Sequence, residues 1–79
     1  MKGIRVSKVI DIPSTMTGTV WTVDIAVGDR VRENDRVITV ESMKMEIPVG
    51  APVDGEIIEI LVAKNDLVSE GQVVVRMRV

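Results

Sequence analysis

One lysine stands between two methionines in a segment that also carries two carboxylates. That segment runs Glu41-Ser42-Met43-Lys44-Met45-Glu46. The ε-amine of Lys44 could form an amide, but it is charged near neutral pH and needs a partner to remove its proton. The methionines on either side are unbranched and polarisable, so they suit apolar surfaces of more than one shape. Lys44 is therefore a candidate nucleophile.

The rest of the composition argues against catalysis by this chain alone. Its 79 residues include no histidine, cysteine, tyrosine or phenylalanine, and Trp21 is the single aromatic residue. The usual general base near neutral pH and the commonest metal ligands are therefore missing. Since only Asp, Glu, Lys and Ser remain for such work, we expect no catalytic residue, no bound metal and no free-standing enzyme.

The charge pattern argues against nucleic acids and membranes as partners. Ten basic and twelve acidic residues are interspersed, and the only basic cluster is Lys2, Arg5 and Lys8, with no aromatic residue to stack on a base. Apolar runs reach at most five residues, far below the ~20 that cross a bilayer. The start of the chain also lacks the apolar core of a signal peptide. We expect a cytoplasmic protein.

The elements that position the lysine are predicted to be β-strands. Valine and isoleucine number 25, against two leucines and three alanines, and β-branched residues favour sheets. Apolar residues alternate through 23–27 and 58–62, as strands require. The strand pattern ends near Glu41 and resumes near Glu46, so Lys44 is predicted at or near a hairpin tip.

Met-Lys-Met is a poor turn by propensity, because tight hairpins favour Asn-Gly, Asp-Gly or Gly-X. Two interpretations follow. In the first, Met43 and Met45 fold back to cap the core, and Lys44 is an ordinary solvated loop residue. In the second, the segment breaks the local rule because it is a functional site.

An internal repeat organises the chain. A displacement of 37 residues aligns Gly18–Val37 with Gly55–Val74, with six identities and three further apolar matches. In both halves apolar residues follow the first glycine at two, five and seven positions. The step of three breaks strict alternation, so it predicts a bulge or bend at the same place in each half.

The repeat also predicts the geometry of two pairs of turns. Gly28 aligns with Asn65, and Asn34 aligns with Gly71. Glycine and asparagine are the residues that best tolerate a positive φ. We therefore expect all four positions to have positive φ in equivalent turns.

The lysine segment and its surroundings together resemble a known pattern. Gly28-Asp29-Arg30-Val31 precedes the lysine, Ala51-Pro52-Val53-Asp54-Gly55 follows it, and Asn65-Asp66-Leu67-Val68 repeats the first motif. With Glu-Ser-Met-Lys-Met, these motifs resemble the biotin carboxyl carrier and biotin/lipoyl attachment domain family over roughly residues 13–78. The likeness is to the minimal, free-standing attachment proteins of that family.

The resemblance implies a fold that agrees with the repeat. It implies one biotinyl/lipoyl-attachment domain over residues 1–79, with a core of about 13–78. The fold class would be all-β, a flattened β-barrel (barrel-sandwich hybrid) of two four-stranded antiparallel sheets with pseudo-two-fold symmetry. Lys44 would then lie on the hairpin that joins the fourth and fifth strands.

The resemblance also implies a function. A biotin protein ligase would attach biotin covalently to Lys44, and the biotin would carry CO2 as carboxybiotin between a biotin carboxylase and a carboxyltransferase. The chain would be a carrier subunit of a biotin-dependent carboxylase and not catalytic alone. The remaining motif residues would be Met43 and Met45, which flank the lysine for recognition, and Glu41, Ser42 and Glu46, the glutamates being solvated or in contact with the ligase.

Two alternatives stay open. Lipoyl carrier domains share the fold, although their lysine usually stands as Asp-Lys-Ala, so lipoate on Lys44 is the first alternative. The second is an unmodified interaction domain of the same fold.

Overall fold

The computed structural model describes residues 8–79, so Lys2 and Arg5 of the basic cluster lie outside the described residues. Within residues 8–79 there is no helix long and apolar enough to cross a membrane. The strands are β1 (Val9–Pro13), β2 (Gly18–Val23), β3 (Arg30–Val31), β4 (Arg36–Ser42), β5 (Met45–Gly50), β6 (Gly55–Ile60), β7 (Leu67–Val68) and β8 (Val73–Arg78).

The strands form two sheets that are copies of one another in topology. One sheet has the order β1-β8-β6-β3 and the other has the order β5-β4-β2-β7. Neighbouring strands are antiparallel in both. The 37-residue displacement converts β1, β2, β3 and β4 into β5, β6, β7 and β8, and so converts one sheet order into the other. The predicted all-β fold of two four-stranded antiparallel sheets with pseudo-two-fold symmetry is confirmed.

The predicted irregularity is a bulge at the same place in each half. Strand β2 carries one extra residue, Trp21, against β4. Strand β6 carries one extra residue, Ile58, against β8. Since these residues are 37 positions apart, the repeat conserves the bulge as well as the strands. Each bulge shifts the side chains that follow it to the other face, which explains the broken alternation.

The alternation over 23–27 and 58–62 does not continue as strand. Strand β2 ends at Val23 and β6 ends at Ile60. The next amide, that of Asp24, donates to the carbonyl of Val37 at 2.9 Å, and the chain then leaves the sheet. Val27 is consequently 63% exposed. The alternating pattern was therefore a wrong guide to where these strands end.

The two pairs of turns have the predicted backbone geometry. The φ angles are 96° at Gly28 and 77° at Asn65, and 74° at Asn34 and 87° at Gly71. The backbone hydrogen bonds of the turns are related by the repeat in the same way. The Gly28 amide donates to the carbonyl of Ile57, and the Asn65 amide donates to that of Val20, each at 2.8 Å.

The core lies between the two sheets and takes residues from every strand. Strand β1 contributes Ile12, which is buried. Every buried side-chain nitrogen or oxygen of the described residues has a hydrogen-bond partner. The buried apolar residues are Ile12, Val20, Val31, Val37, Ile38, Val40, Val49, Ala51, Ile57, Val62, Val68, Val74, Val75 and Met77.

Candidate functional site

The lysine lies in the tightest connection that a hairpin allows. Strands β4 and β5 pair as far as Ser42 and Met45, so only Met43 and Lys44 form the loop. The φ angles of these two residues are 52° and 65°. Two-residue hairpin loops with positive φ at both positions match the right-handed twist of the flanking strands. The predicted position of Lys44, at the tip of the hairpin between the fourth and fifth strands, is confirmed.

The hairpin is anchored along most of its length. Residues 37–40 of β4 are all buried, and β4 pairs with β5 on one side and β2 on the other. In β5 the side chain of Val49 is also buried. Because the strands that lead to the tip are fixed by packing and by sheet pairing, the loop can hold Lys44 in one place without contacts of its own.

A glycine fixes the base of the hairpin against the neighbouring strand. A Cβ placed on Gly18 would overlap the carbonyl oxygen of Glu41 and would lie 2.9 Å from Cγ1 of Val40. Strand β2 therefore approaches β4 more closely than any residue with a side chain would permit. This close approach lies just before the loop, so it restricts movement where the tip emerges.

The side chains at the tip point into solvent. Met43 is 92% exposed and Met45 is 62% exposed. Lys44 is also exposed. The interpretation in which the methionines fold back to cap the core is therefore wrong. Two long apolar side chains stand in water beside the amine, at a cost in free energy that core packing does not offset.

Two carboxylates lie opposite each other below the tip. Glu41 and Glu46 are direct partners across β4 and β5, with Glu41 half-buried and Glu46 exposed. Like charges at directly opposed positions destabilise a sheet. Among residues 8–79, the ion pairs involve neither of these glutamates nor Lys44. Within the described residues, the positive charge of Lys44 and the negative charges of the two glutamates are therefore not neutralised by ion pairs.

In the sheet that contains β8, opposite charges form ion pairs. The guanidinium of Arg76 in β8 bonds both Glu59 of β6 and Asp11 of β1 at 3.0 Å. These hydrogen bonds, with that to Glu59 the larger cause, raise the pKa of Arg76 above its usual range. The strand register of this sheet places Arg76 opposite both carboxylates. Like charges at opposed positions are therefore a property of the β4–β5 hairpin and not of both sheets.

Sequence reasoning missed two features of the site. It did not predict the positive φ of Met43 and Lys44, and it did not predict that Glu41 and Glu46 would be direct partners. The pairing of Glu41 with Glu46 follows from the two-residue length of the loop, and positive φ at both loop positions is one of the two geometries that such loops favour. A prediction that Ser42 of β4 pairs directly with Met45 of β5 would have given a loop of two residues.

The arrangement suits presentation of an amine. In the described chain no hydrogen bond holds the ε-amine of Lys44, and no histidine or cysteine exists in the sequence to activate it. The chain therefore gives the amine a defined position and leaves it exposed.

Comparison with known proteins assigns this architecture to a family. The family model described as "Biotin-requiring enzyme" matches residues 8–77. The biotin/lipoyl attachment protein of Bacillus subtilis is 37% identical over 62 residues, which are 78% of this chain and 85% of that protein. The biotin carboxyl carrier protein of acetyl-CoA carboxylase from Streptococcus pyogenes is 43% identical over 54 residues, which are 68% of this chain and 32% of that protein.

Among solved structures, the Kluyveromyces lactis urea carboxylase contains a similar region. The TM-score is 0.85 at 34% sequence identity, and the match covers 98% of this chain and 7% of that one. The chain thus spans most of a small attachment protein and a small fraction of large carboxylases. With two repeat-related sheets, a lysine at the tip of the β4–β5 hairpin and a family match from residue 8 to residue 77, this chain belongs to the biotin/lipoyl attachment domain family.

Proposed function

We propose that this chain is a biotin carrier, and that a biotin protein ligase forms an amide between biotin and the ε-amine of Lys44. The observation that carries the proposal is the geometry of the tip. Lys44 occupies a two-residue loop on an anchored hairpin, beside a methionine that is 92% exposed. An apolar side chain held in solvent next to an amine suits recognition by a partner, since it contributes nothing to the core.

Each residue of the motif has a part in this proposal. Lys44 supplies the amine, and Met43 and Met45 supply apolar surface to the ligase. The charges of Glu41 and Glu46 remain unpaired below the tip, so they can meet basic groups of a partner. Ser42 belongs to the last pair of the ladder, which fixes where the loop begins.

We further propose that the partners of the modified chain are a biotin carboxylase and a carboxyltransferase. Attached biotin supplies the chemistry that carries CO2. The chain's own residues hold the arm in place and give it a high effective concentration at both enzymes. The relatives support this proposal, because they include a carrier protein of acetyl-CoA carboxylase and a urea carboxylase. Catalysis on this proposal belongs to the partner enzymes.

Intact mass after coexpression with a biotin ligase tests the attachment. We expect the wild-type protein to gain the mass of one biotinyl group and to bind streptavidin. Lys44→Arg keeps the charge but removes the primary amine, so we expect no modification. Lys64→Arg is the matched control, because Lys64 is also exposed and lies in a turn, and it should be modified like the wild type. Streptavidin binding by the Lys44 variant would contradict the proposal.

Lipoate on Lys44 is the second candidate, and it rests on the Bacillus subtilis relative, whose name includes both cofactors. The exposed methionines favour biotin, because lipoyl domains usually carry Asp-Lys-Ala. The double variant Met43→Asp with Met45→Ala imitates that sequence. We expect it to lose biotinylation and to gain modification by a lipoyl ligase. An unchanged rate of biotinylation would show that the ligase does not recognise the methionines.

A further inference from the structure

The methionines within residues 8–79 fall into two groups by exposure. Met43 is 92% exposed and Met45 is 62% exposed, on either side of Lys44. Met77 is 0% exposed in the core, and Met16 is half-buried against it. Oxidation of a thioether requires contact between its sulfur and an oxidant in solution, so exposure sets the order in which methionines react.

We propose that Met43 and Met45 form a redox modification site, and that their oxidation to sulfoxides slows the modification of Lys44. The inference rests on the proposed function of the lysine. The oxidant is a peroxide such as hydrogen peroxide. Its O–O bond breaks as the sulfur lone pair attacks one oxygen, which stays on the sulfur. The proton of the attacked oxygen passes to the departing hydroxide, which leaves as water, so sulfur loses two electrons and hydrogen peroxide gains them.

Oxidation changes the part of the surface that any lysine-modifying enzyme must touch. Met43 shares the two-residue loop with Lys44, and Met45 is the first residue after it. A sulfoxide is polar and chiral, whereas a thioether is flexible and apolar. Burying the sulfoxide in an apolar contact without a hydrogen-bond partner is unfavourable. We therefore expect the rate of ligation to fall about tenfold or more.

The fold itself is insulated from this change. Neither tip methionine belongs to the buried core or to the half-buried residues that pack against it. The core methionine, Met77, is shielded by both sheets. Oxidation at the tip is therefore separable from oxidative unfolding, and a sulfoxide reductase can reach the exposed sulfoxides and return them to thioethers with electrons from a dithiol.

The first arm of the test measures which methionines react. The full-length protein is treated with a series of hydrogen peroxide concentrations, and each methionine is followed by peptide mass spectrometry. We expect Met43 and Met45 to be oxidised before Met16, and Met16 before Met77. Oxidation of Met77 at the rate of the tip methionines would overturn the inference. This arm does not depend on biotin.

The second arm measures the effect on ligation. Protein oxidised only at the tip is given to a biotin ligase with biotin and ATP, beside untreated protein. We expect the slower rate to recover after treatment with methionine sulfoxide reductases A and B. The double variant Met43→Leu with Met45→Leu should keep its own rate after peroxide treatment. An unchanged rate for the oxidised wild type would overturn the inference alone, whereas no ligation of the untreated protein would overturn the proposed function and the inference with it.

Discussion

The turns of the repeated scaffold and the turn at the hairpin tip have the same backbone conformation but use different residue types. Both kinds of turn need positive φ, which costs an ordinary residue about 1–2 kcal/mol. The scaffold turns use residues that tolerate it, whereas the tip uses residues that do not. The scaffold positions are Gly28, Asn34, Asn65 and Gly71, and the tip positions are Met43 and Lys44.

The difference shows which constraint selects each residue. At a scaffold turn the side chain has no other task, so the residue follows the backbone. At the tip, on the proposed function, the residue types follow recognition by a partner, and the surrounding structure holds the strained backbone. The buried run 37–40 and the close approach at Gly18 supply that support. Backbone strain that neighbouring structure sustains is typical of functional sites.

The largest effect should come from the scaffold positions that have no space for a side chain. A Cβ on Gly55 would lie 2.5 Å from the carbonyl oxygen of Arg78 and 2.7 Å from Cε of Met77. We expect Gly55→Ala to lower the free energy of unfolding by about 2–3 kcal/mol, measured by thermal or urea melts. Gly18→Ala, its equivalent in the repeat, should cost a similar amount. Melts that match the wild type would refute this close packing.

The next effect should come from the scaffold turns themselves. Nothing lies within 4 Å of a Cβ on Gly28 or on Gly71, so a side chain there meets only the conformational cost of positive φ. We expect Gly28→Val and Gly71→Val each to lower the free energy of unfolding by about 1–2 kcal/mol. Asn65→Gly should be nearly neutral, apart from added entropy of the unfolded chain. If it proves as damaging as Gly28→Val, the repeat does not govern these turns.

A smaller effect is expected where both halves use the same side chain. The carboxylate of Asp29 accepts a hydrogen bond from the amide of Ala26, and that of Asp66 accepts one from Ala63, each at 2.9 Å. We expect Asp29→Ala and Asp66→Ala to cost about 1 kcal/mol each in chemical denaturation. Glu70→Ala controls for the loss of one negative charge, because its carboxylate accepts no hydrogen bond in the described chain. Clearly unequal costs would show that the halves differ in energy despite their common backbone.

The same comparison explains how far the sequence could predict the structure. In the scaffold the residue types follow the backbone conformation that each position requires. The repeat therefore predicted the paired sheets, the two bulges and the four scaffold turns. It could not predict that β2 ends at Val23, because the alternation of apolar residues continues to Val27, beyond the last pair with β4, Val23 with Ile38. It also could not predict positive φ at Met43, because methionine is not a residue type that favours positive φ.

The last and smallest effect comes from exchanging a residue between the two kinds of turn. Asparagine tolerates positive φ better than methionine does. We therefore expect Met43→Asn to raise the free energy of unfolding by about 0.5–1 kcal/mol. The same variant should be biotinylated more slowly, since it removes the most exposed apolar side chain beside Lys44. Urea melts and ligation rates on one preparation measure both changes.

The reciprocal exchange is the control. Asn34 has a φ of 74° and an exposed side chain, so Asn34→Met should lower the free energy of unfolding by a similar amount and leave ligation unchanged. Opposite signs for the two exchanges would mean that the tip gives up stability for recognition. If Met43→Asn instead destabilises the protein, methionine makes a stabilising contact at the tip, and its exposure there is not a cost that function maintains.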